Sequence, residues 1–170
     1  MIKVIAFDVF GTVFDLTAAD REDVKAYVDH VHADEWAPLT LPPSWYELKA
    51  HDDAKYGLKW LREDYQVVTC SNGPIELLTK LSKKNGLSWD MMIPLEMAKV
   101  YKPKLEAYQL ICSLMGVKPC EVAMVTANKT FGDLEAAMHL GMLPILIRDK
   151  SAERFIPDIM ELARIMEHDV

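Results

Sequence analysis

Three short runs of apolar, largely β-branched residues constrain the fold more than any other feature of this sequence: Lys3-Val4-Ile5-Ala6-Phe7, Gln66-Val67-Val68-Thr69-Cys70 and Val122-Ala123-Met124-Val125-Thr126. A run without polar alternation reads as a strand covered on both faces, and that cover has to come from helices on either side. A fourth run, Pro144-Ile145-Leu146-Ile147, follows the turn at Gly141, and a short strand is expected at Met91-Met92-Ile93-Pro94. Between them, periodic patterns predict helices over 54–63, 75–85, 105–115 and 133–140. The second of these sets Leu77, Leu78 and Leu81 at helical spacing and stops at Gly86, a natural C-cap. The alternation predicts an α/β fold, a doubly wound parallel sheet in three layers with right-handed crossovers. The tail after Asp149 reads as a terminal amphipathic helix without chemistry of its own.

Residues 16–50 break the pattern. An acidic amphipathic stretch over 20–32 leads into Trp36-Ala37-Pro38-Leu39-Thr40-Leu41-Pro42-Pro43-Ser44-Trp45-Tyr46, where three prolines forbid regular helix and two tryptophans need something to pack on. This segment is expected to be a small insert after the first strand. It is either a reduced lid over a site or a surface meander whose tryptophans patch the core, and Trp36, Trp45 and Tyr46 either line a pocket or form a contact between two copies. The expected division is a core of 1–15 and 51–170 and an insert of 16–50.

Composition excludes several classes of partner. With 170 residues, 51% of them hydrophobic, the chain holds one substantial core. A formal net charge of −7 offers no basic surface to nucleic acid or an anionic membrane. No apolar run reaches the roughly 18–20 residues of a membrane span. Cys70, Cys112 and Cys120 are an odd count without metal-ligand spacing, and the first residues enter a strand rather than a signal sequence. A reducing, cytoplasmic setting is expected, with neither disulfide nor zinc.

In an open parallel sheet ligands bind at the carboxyl ends of the strands, so the residues just after each run carry the functional reading. Asp8 lies between Phe7 and Val9, where a carboxylate is costly to desolvate unless paired or used, and Gly11 lets the backbone turn its amides toward it. Cys70-Ser71-Asn72-Gly73 supplies a hydroxyl, an amide and the start of a helix near Pro74. Lys102, between Tyr101 and Pro103, brings a cation in an extended approach. Thr126-Ala127-Asn128 leads to Asp133, a second carboxylate at a helix start.

This order, Asp8 with Gly11-Thr12, then Ser71-Asn72-Gly73, then Lys102-Pro103, then Asn128 with Asp133, resembles the haloacid dehalogenase superfamily over the whole chain apart from the insert. That resemblance implies a Rossmannoid core with a cap inserted after the first strand, and hydrolysis through an aspartyl ester. Phosphatases of the superfamily carry a general acid two places after the nucleophile; here that place is Phe10. Asp8-Val9-Phe10-Gly11-Thr12 is closer to the 2-haloacid dehalogenase branch, as are Tyr101-Lys102-Pro103 with Tyr108 and the Thr126-Ala127-Asn128 triplet. Two features depart from that branch. The insert offers only Arg21 where the branch uses a cap arginine, and the loop from Asn128 to Asp133 is two residues longer, as in phosphatases.

The resemblance implies Asp8 as nucleophile, Lys102 keeping it ionised, and Asp133 and Asn128 activating and placing water. Phe10, Thr12, Ser71, Asn72, Tyr108 and Thr126 would contact a small anionic substrate, and no cofactor is needed. The alternative is a Mg²⁺-dependent phosphomonoesterase, with the metal on Asp8, the Phe10 carbonyl and Asp133. A third reading is a non-catalytic anion-binding domain. A homodimer is compatible with each.

Overall fold

Side chains along the first strand point alternately to two faces, and both faces are buried. In the computed structural model, which describes residues 1–167, five parallel strands run β1 (Val4–Phe7), β2 (Gln66–Thr69), β3 (Met91–Met92), β4 (Val122–Thr126) and β5 (Leu143–Leu146). Their spatial order is β3-β2-β1-β4-β5. Six α-helices accompany them: α1 (Arg21–Val31), α2 (Ala54–Leu61), α3 (Ile75–Asn85), α4 (Leu105–Met115), α5 (Asp133–Leu140) and α6 (Ile159–Met166).

The period of two in the strands divides the core. Ile5, Phe7, Val67, Ala123 and Val125 face α2, α3 and α6 through Leu58, Leu77, Leu81, Ile159 and Leu162. Val4, Ala6, Val68, Val122 and Met124 face α4 and α5 through Ala107, Ile111, Ala136 and Ala137. Continuous apolar runs and three layers are therefore the same fact. The terminal helix α6 follows the spacing of Ile159, Leu162, Ala163 and Met166, all buried, and starts at Asp158, whose carboxylate accepts from the Glu161 amide at 2.8 Å. The expected elements over 75–85, 105–115, 122–126 and 133–140 lie where the sequence puts them. β5 is shifted one residue toward the N-terminus: it starts at Leu143, which pairs with Ala123, and ends at Leu146, beyond which Ile147 pairs with Ile156.

Register matters most for function. Phe7 lies opposite Thr69 on one side and Val125 on the other, so β1, β2 and β4 end level with one another. The residues that follow, Asp8, Cys70-Ser71 and Thr126-Ala127, therefore converge at one edge of the sheet.

Residues 16–50 add no strand to this sheet. Asp20 caps α1 by accepting from the Glu22 amide at 2.7 Å, and a short 3-10 turn spans Pro43–Glu47. Trp45 is wholly buried, its ring 4.9 Å from Phe10 and 5.4 Å from Tyr27 of α1. Trp36 lies stacked on Tyr101 at 6.0 Å. Both tryptophans thus pack onto residues around the strand ends.

Because Trp45 joins the insert to the core, Trp45→Ala is expected to cost about 3–5 kcal/mol and to lower the thermal midpoint by roughly 10 °C. Scanning calorimetry reads this directly; a fall of under about 2 °C would show that the insert is held elsewhere.

Candidate active site

The chain turns sharply after β1. Gly11 takes φ +86°, and the Gly11 amide donates to the Phe14 carbonyl at 2.7 Å. That turn directs the Thr12 hydroxyl back onto Asp8, where it donates to Oδ2 at 2.7 Å. The other carboxylate oxygen, Oδ1, accepts from Lys102 Nζ at 2.9 Å.

Lys102 reaches Asp8 from the segment before α4, through a cis Lys102–Pro103 peptide. Its backbone is pinned on both sides by one side chain: the Lys102 amide donates to Asn72 Oδ1 at 2.7 Å, and Asn72 Nδ2 donates to the Lys102 carbonyl at 3.1 Å. The ammonium is 1% exposed. Besides Asp8 it meets Asp133 Oδ1 at 3.0 Å and Oδ2 at 3.2 Å, and the Phe131 ring lies 5.5 Å from it. Asp133, the first residue of α5, is fully buried and also accepts from the Tyr108 hydroxyl at 2.6 Å. Gly132 makes this approach feasible: its φ is +116°, and a Cβ there would stand 2.7 Å from Pro103 Cβ.

One cation thus sits between two carboxylates. Burial alone would lower the Lys102 pKa, yet Asp133 and Asp8 outweigh it and hold the ammonium well above its ordinary value. Burial pushes the Asp8 carboxyl above the ordinary aspartate value of 3.8, against the pull of Lys102; Asp133 adds to the rise. Burial likewise pushes the neighbouring Cys70 thiol up to about 12, which leaves it protonated and inert.

Asp8 opens onto a small chamber of about 60 Å³ lined by Phe10, Leu16, Val24, Tyr27, Val28, Asn128 and Phe131. Leu16, Val24, Tyr27 and Val28 belong to the segment 16–50, whose first part roofs this chamber. An outer chamber of about 320 Å³ shares Phe10, Leu16 and Asn128 with it and adds Gly11, Ala127, Lys129, Thr130 and Asp149.

The expected site residues fall into two sets. Asp8, Phe10 and Asn128 line the inner chamber, and Lys102 and Asp133 stand directly behind Asp8. Three of the expected substrate contacts, Tyr108, Thr126 and Thr12, make hydrogen bonds within the protein. Tyr108 is fully buried with its hydroxyl on Asp133. Thr126 is fully buried, its hydroxyl oxygen accepting from the Asn128 amide at 3.2 Å. Thr12 donates to Asp8 and accepts from the Ala127 amide at 2.8 Å, so it ties two strand ends together. Ser71 and Asn72 are nearly fully buried; Ser71 Oγ accepts from the Gly73 amide at 3.1 Å, and Asn72 holds Lys102.

The two carboxylates expected for Mg²⁺ are already committed: Asp8 and Asp133 share the Lys102 ammonium, and Asp133 has both oxygens turned to it.

Sequence reasoning missed Tyr27, Phe131 and Arg148. Phe131 lay in the long loop already singled out. Arg148, at φ +64°, donates from Nε to the Thr12 carbonyl at 2.9 Å and from Nη2 to Asp53 at 2.7 Å, bracing the turn after Asp8 from the segment that follows β5. Nothing in its local sequence signals that reach.

No family model matches the chain. It is 35% identical over 91 residues to the (S)-2-haloacid dehalogenase 4A of Burkholderia cepacia, covering 52% of this chain and 39% of that protein. It is 26% identical to the (S)-2-haloacid dehalogenase of Xanthobacter autotrophicus over 75% of this chain and 68% of that protein. The chain therefore spans about two fifths of the length of the Burkholderia relative. In structure it is similar to the L-2-haloacid dehalogenase PA0810, with a TM-score of 0.81 and 25% identity over 99% of this chain and 100% of the other. The Xanthobacter enzyme with chloropropionic acid covalently bound shares the fold at a TM-score of 0.76 and 20% identity, over 100% of both chains.

A Rossmannoid α/β protein organised around a strand-end aspartate is the class that sheet order and site define. With these likenesses beside its motif order, the chain has the fold of the haloacid dehalogenase-like proteins and is similar to them in sequence.

Lys102→Met is expected to leave two buried carboxylates without a counter-charge, at a cost of about 3–5 kcal/mol near neutral pH. Loss of the ammonium removes what holds the Asp8 pKa down, so burial carries that carboxyl further above its value in the unfolded chain. The deficit is therefore largest at neutral pH and shrinks as pH falls toward about 4. Urea unfolding at both pH values tests this; a deficit independent of pH would refute the charge argument.

Proposed function

We propose that the chain is a 2-haloacid dehalogenase-type hydrolase of small 2-haloacids, working in the cytoplasm. One observation carries the reading: a carboxylate held by Thr12 and Lys102 faces an apolar chamber in which no effective proton donor stands opposite it. Phe10 occupies the place of an acid and packs against Trp45. The Tyr27 phenol, the other candidate donor, has its pKa pushed far up by burial. A group leaving from this site departs without being protonated, which suits a halide and not an alkoxide.

The ionised Asp8 attacks carbon 2 of the acid from the side opposite the halogen. The new C–O bond forms as the carbon–halogen bond breaks, the halide takes the electron pair, and the carbon inverts. An ester joins Asp8 to the acid. Lys102 meanwhile loses part of its pairing with Asp8, whose charge the ester has neutralised, and keeps its hold on Asp133. Water placed by Asn128 gives a proton to Asp133 and attacks the ester carbonyl. The bond between Asp8 Cγ and the substrate oxygen then breaks, the proton held by Asp133 passes to that oxygen, and the 2-hydroxyacid leaves with both carboxylates restored. Thr12, Tyr108 and Asn72 act by holding these groups in place.

Single turnover of L-2-chloropropionate in H₂¹⁸O is expected to release chloride in the presence of EDTA and to leave ¹⁸O in Asp8, with Asp8→Asn inactive. Mg²⁺-dependent release of phosphate from p-nitrophenyl phosphate without chloride release would transfer the protein to the phosphatase reading. Reaction with neither substrate would favour an anion-binding domain.

The raised Asp8 pKa sets the acid limb. Protonated Asp8 cannot attack, so kcat/KM is expected to fall with decreasing pH through a midpoint above 3.8. A pH–rate profile with its acid limb below the ordinary aspartate value would contradict the geometry.

A further inference from the structure

Among the described residues, none that lines the inner chamber is a cation free to take the substrate's carboxylate. Its walls are apolar apart from Asp8, Tyr27 and Asn128, and Lys102 spends its protons on Asp8 and Asp133 at 1% exposure. The roof contributes only uncharged side chains. With a net charge of −7, the protein as a whole repels a small anion.

The roof is also strapped down. The Tyr101 hydroxyl donates to the Ala37 carbonyl at 2.7 Å, Lys104 Nζ to the Asp34 carbonyl at 3.2 Å, and the Tyr46 hydroxyl to Glu76 at 2.9 Å. Access to Asp8 therefore runs through the outer chamber, which adjoins the inner one at Phe10, Leu16 and Asn128.

Among the described residues lining the two chambers, Lys129 alone is a cation. It follows Asn128 directly, its side chain is 43% exposed, and its tether is light: Nζ donates to Ser151 Oγ at 2.7 Å and lies 3.6 Å from Asp149 Oδ2. Asp149 itself is engaged by the Ser151 amide at 2.9 Å and hydroxyl at 2.6 Å. An arriving carboxylate can take over donors of the ammonium without breaking a buried pair.

We propose that Lys129 is the specificity-determining cation of this site, drawing the substrate carboxylate through the side mouth and holding it there while carbon 2 faces Asp8. The inference rests on the dehalogenase reading for its substrate, and on the geometry of the mouth for its position. Recognition of the acid then comes from the core loop between β4 and α5, not from the roof.

Steady-state kinetics with L-2-chloropropionate would compare wild type with Lys129→Gln, Lys129→Arg and, as a distant control on α2, Lys59→Gln. Lys129→Gln is expected to raise KM about tenfold with kcat changed less than about twofold, and to flatten the salt dependence of kcat/KM. Lys129→Arg restores KM, and Lys59→Gln leaves it alone. In parallel, calorimetry with propionate, which carries the carboxylate and nothing to displace, gives a Kd independent of turnover. Weaker propionate binding in Lys129→Gln supports the proposal even if wild type releases no chloride, in which case only the reaction assigned above has failed. Turnover with unchanged KM in Lys129→Gln, equal binding of propionate by both proteins, or no binding by wild type would each overturn it.

Discussion

A single ammonium between two carboxylates organises this molecule. Burying a lysine and two aspartates is unfavourable for each alone; together they leave one excess negative charge, spread over four oxygens that also accept from Thr12 and Tyr108. The three partners come from distant parts of the chain, after β1, before α4 and at the start of α5. They meet only when the central strands pair in register, so the correct sheet and the charged cluster require each other. Asn72 strengthens this dependence by fixing the Lys102 backbone at both its amide and its carbonyl.

Much of this was legible in the sequence, and for a physical reason. A strand covered on both faces has to be apolar throughout, so β1, β2 and β4 announce themselves, and the first polar residue after each is thereby placed at the ligand-binding edge. Asp8, Lys102 and Asp133 follow from that placement together with the resemblance of their order. What the pattern does not contain is the direction of a hydroxyl. Thr12, Tyr108 and Thr126 stand where substrate contacts were expected, yet their oxygens complete hydrogen bonds within the protein, because a buried hydroxyl takes the nearest donor or acceptor. Arg148 was invisible for a related reason: its partners, the Thr12 carbonyl and Asp53, are remote in sequence and bear no spacing signal.

The segment 16–50 shows what prolines and tryptophans determine and what they leave open. Pro38, Pro42 and Pro43 rule out helix there, and no helix or strand forms between α1 and the 3-10 turn at Pro43–Glu47. The tryptophans demand cover, but a sequence does not say whose. Trp45 finds it on Phe10 and Tyr27, which gives the residue two places after Asp8 a packing role that an acid there could not fill. The roof and the missing proton donor are therefore one structural choice. An ionisable side chain at position 10 would lie against two aromatic rings and raise the cost of closing the chamber.

That choice shifts the remaining polar chemistry onto the loop between β4 and α5. Asn128 is held by its own turn, its Oδ1 accepting from the amide and hydroxyl of Thr130, while its backbone amide donates to Thr126. Phe131 covers Lys102 and meets His32 from the end of α1 at 5.1 Å, closing the chamber from the core side. Gly132 then presses against Pro103 and delivers Asp133 to the ammonium. A short roof that turns only uncharged side chains into the chamber leaves one loop, anchored at both ends to the charged cluster, to supply the Asn128 amide, the aromatic wall and the mouth.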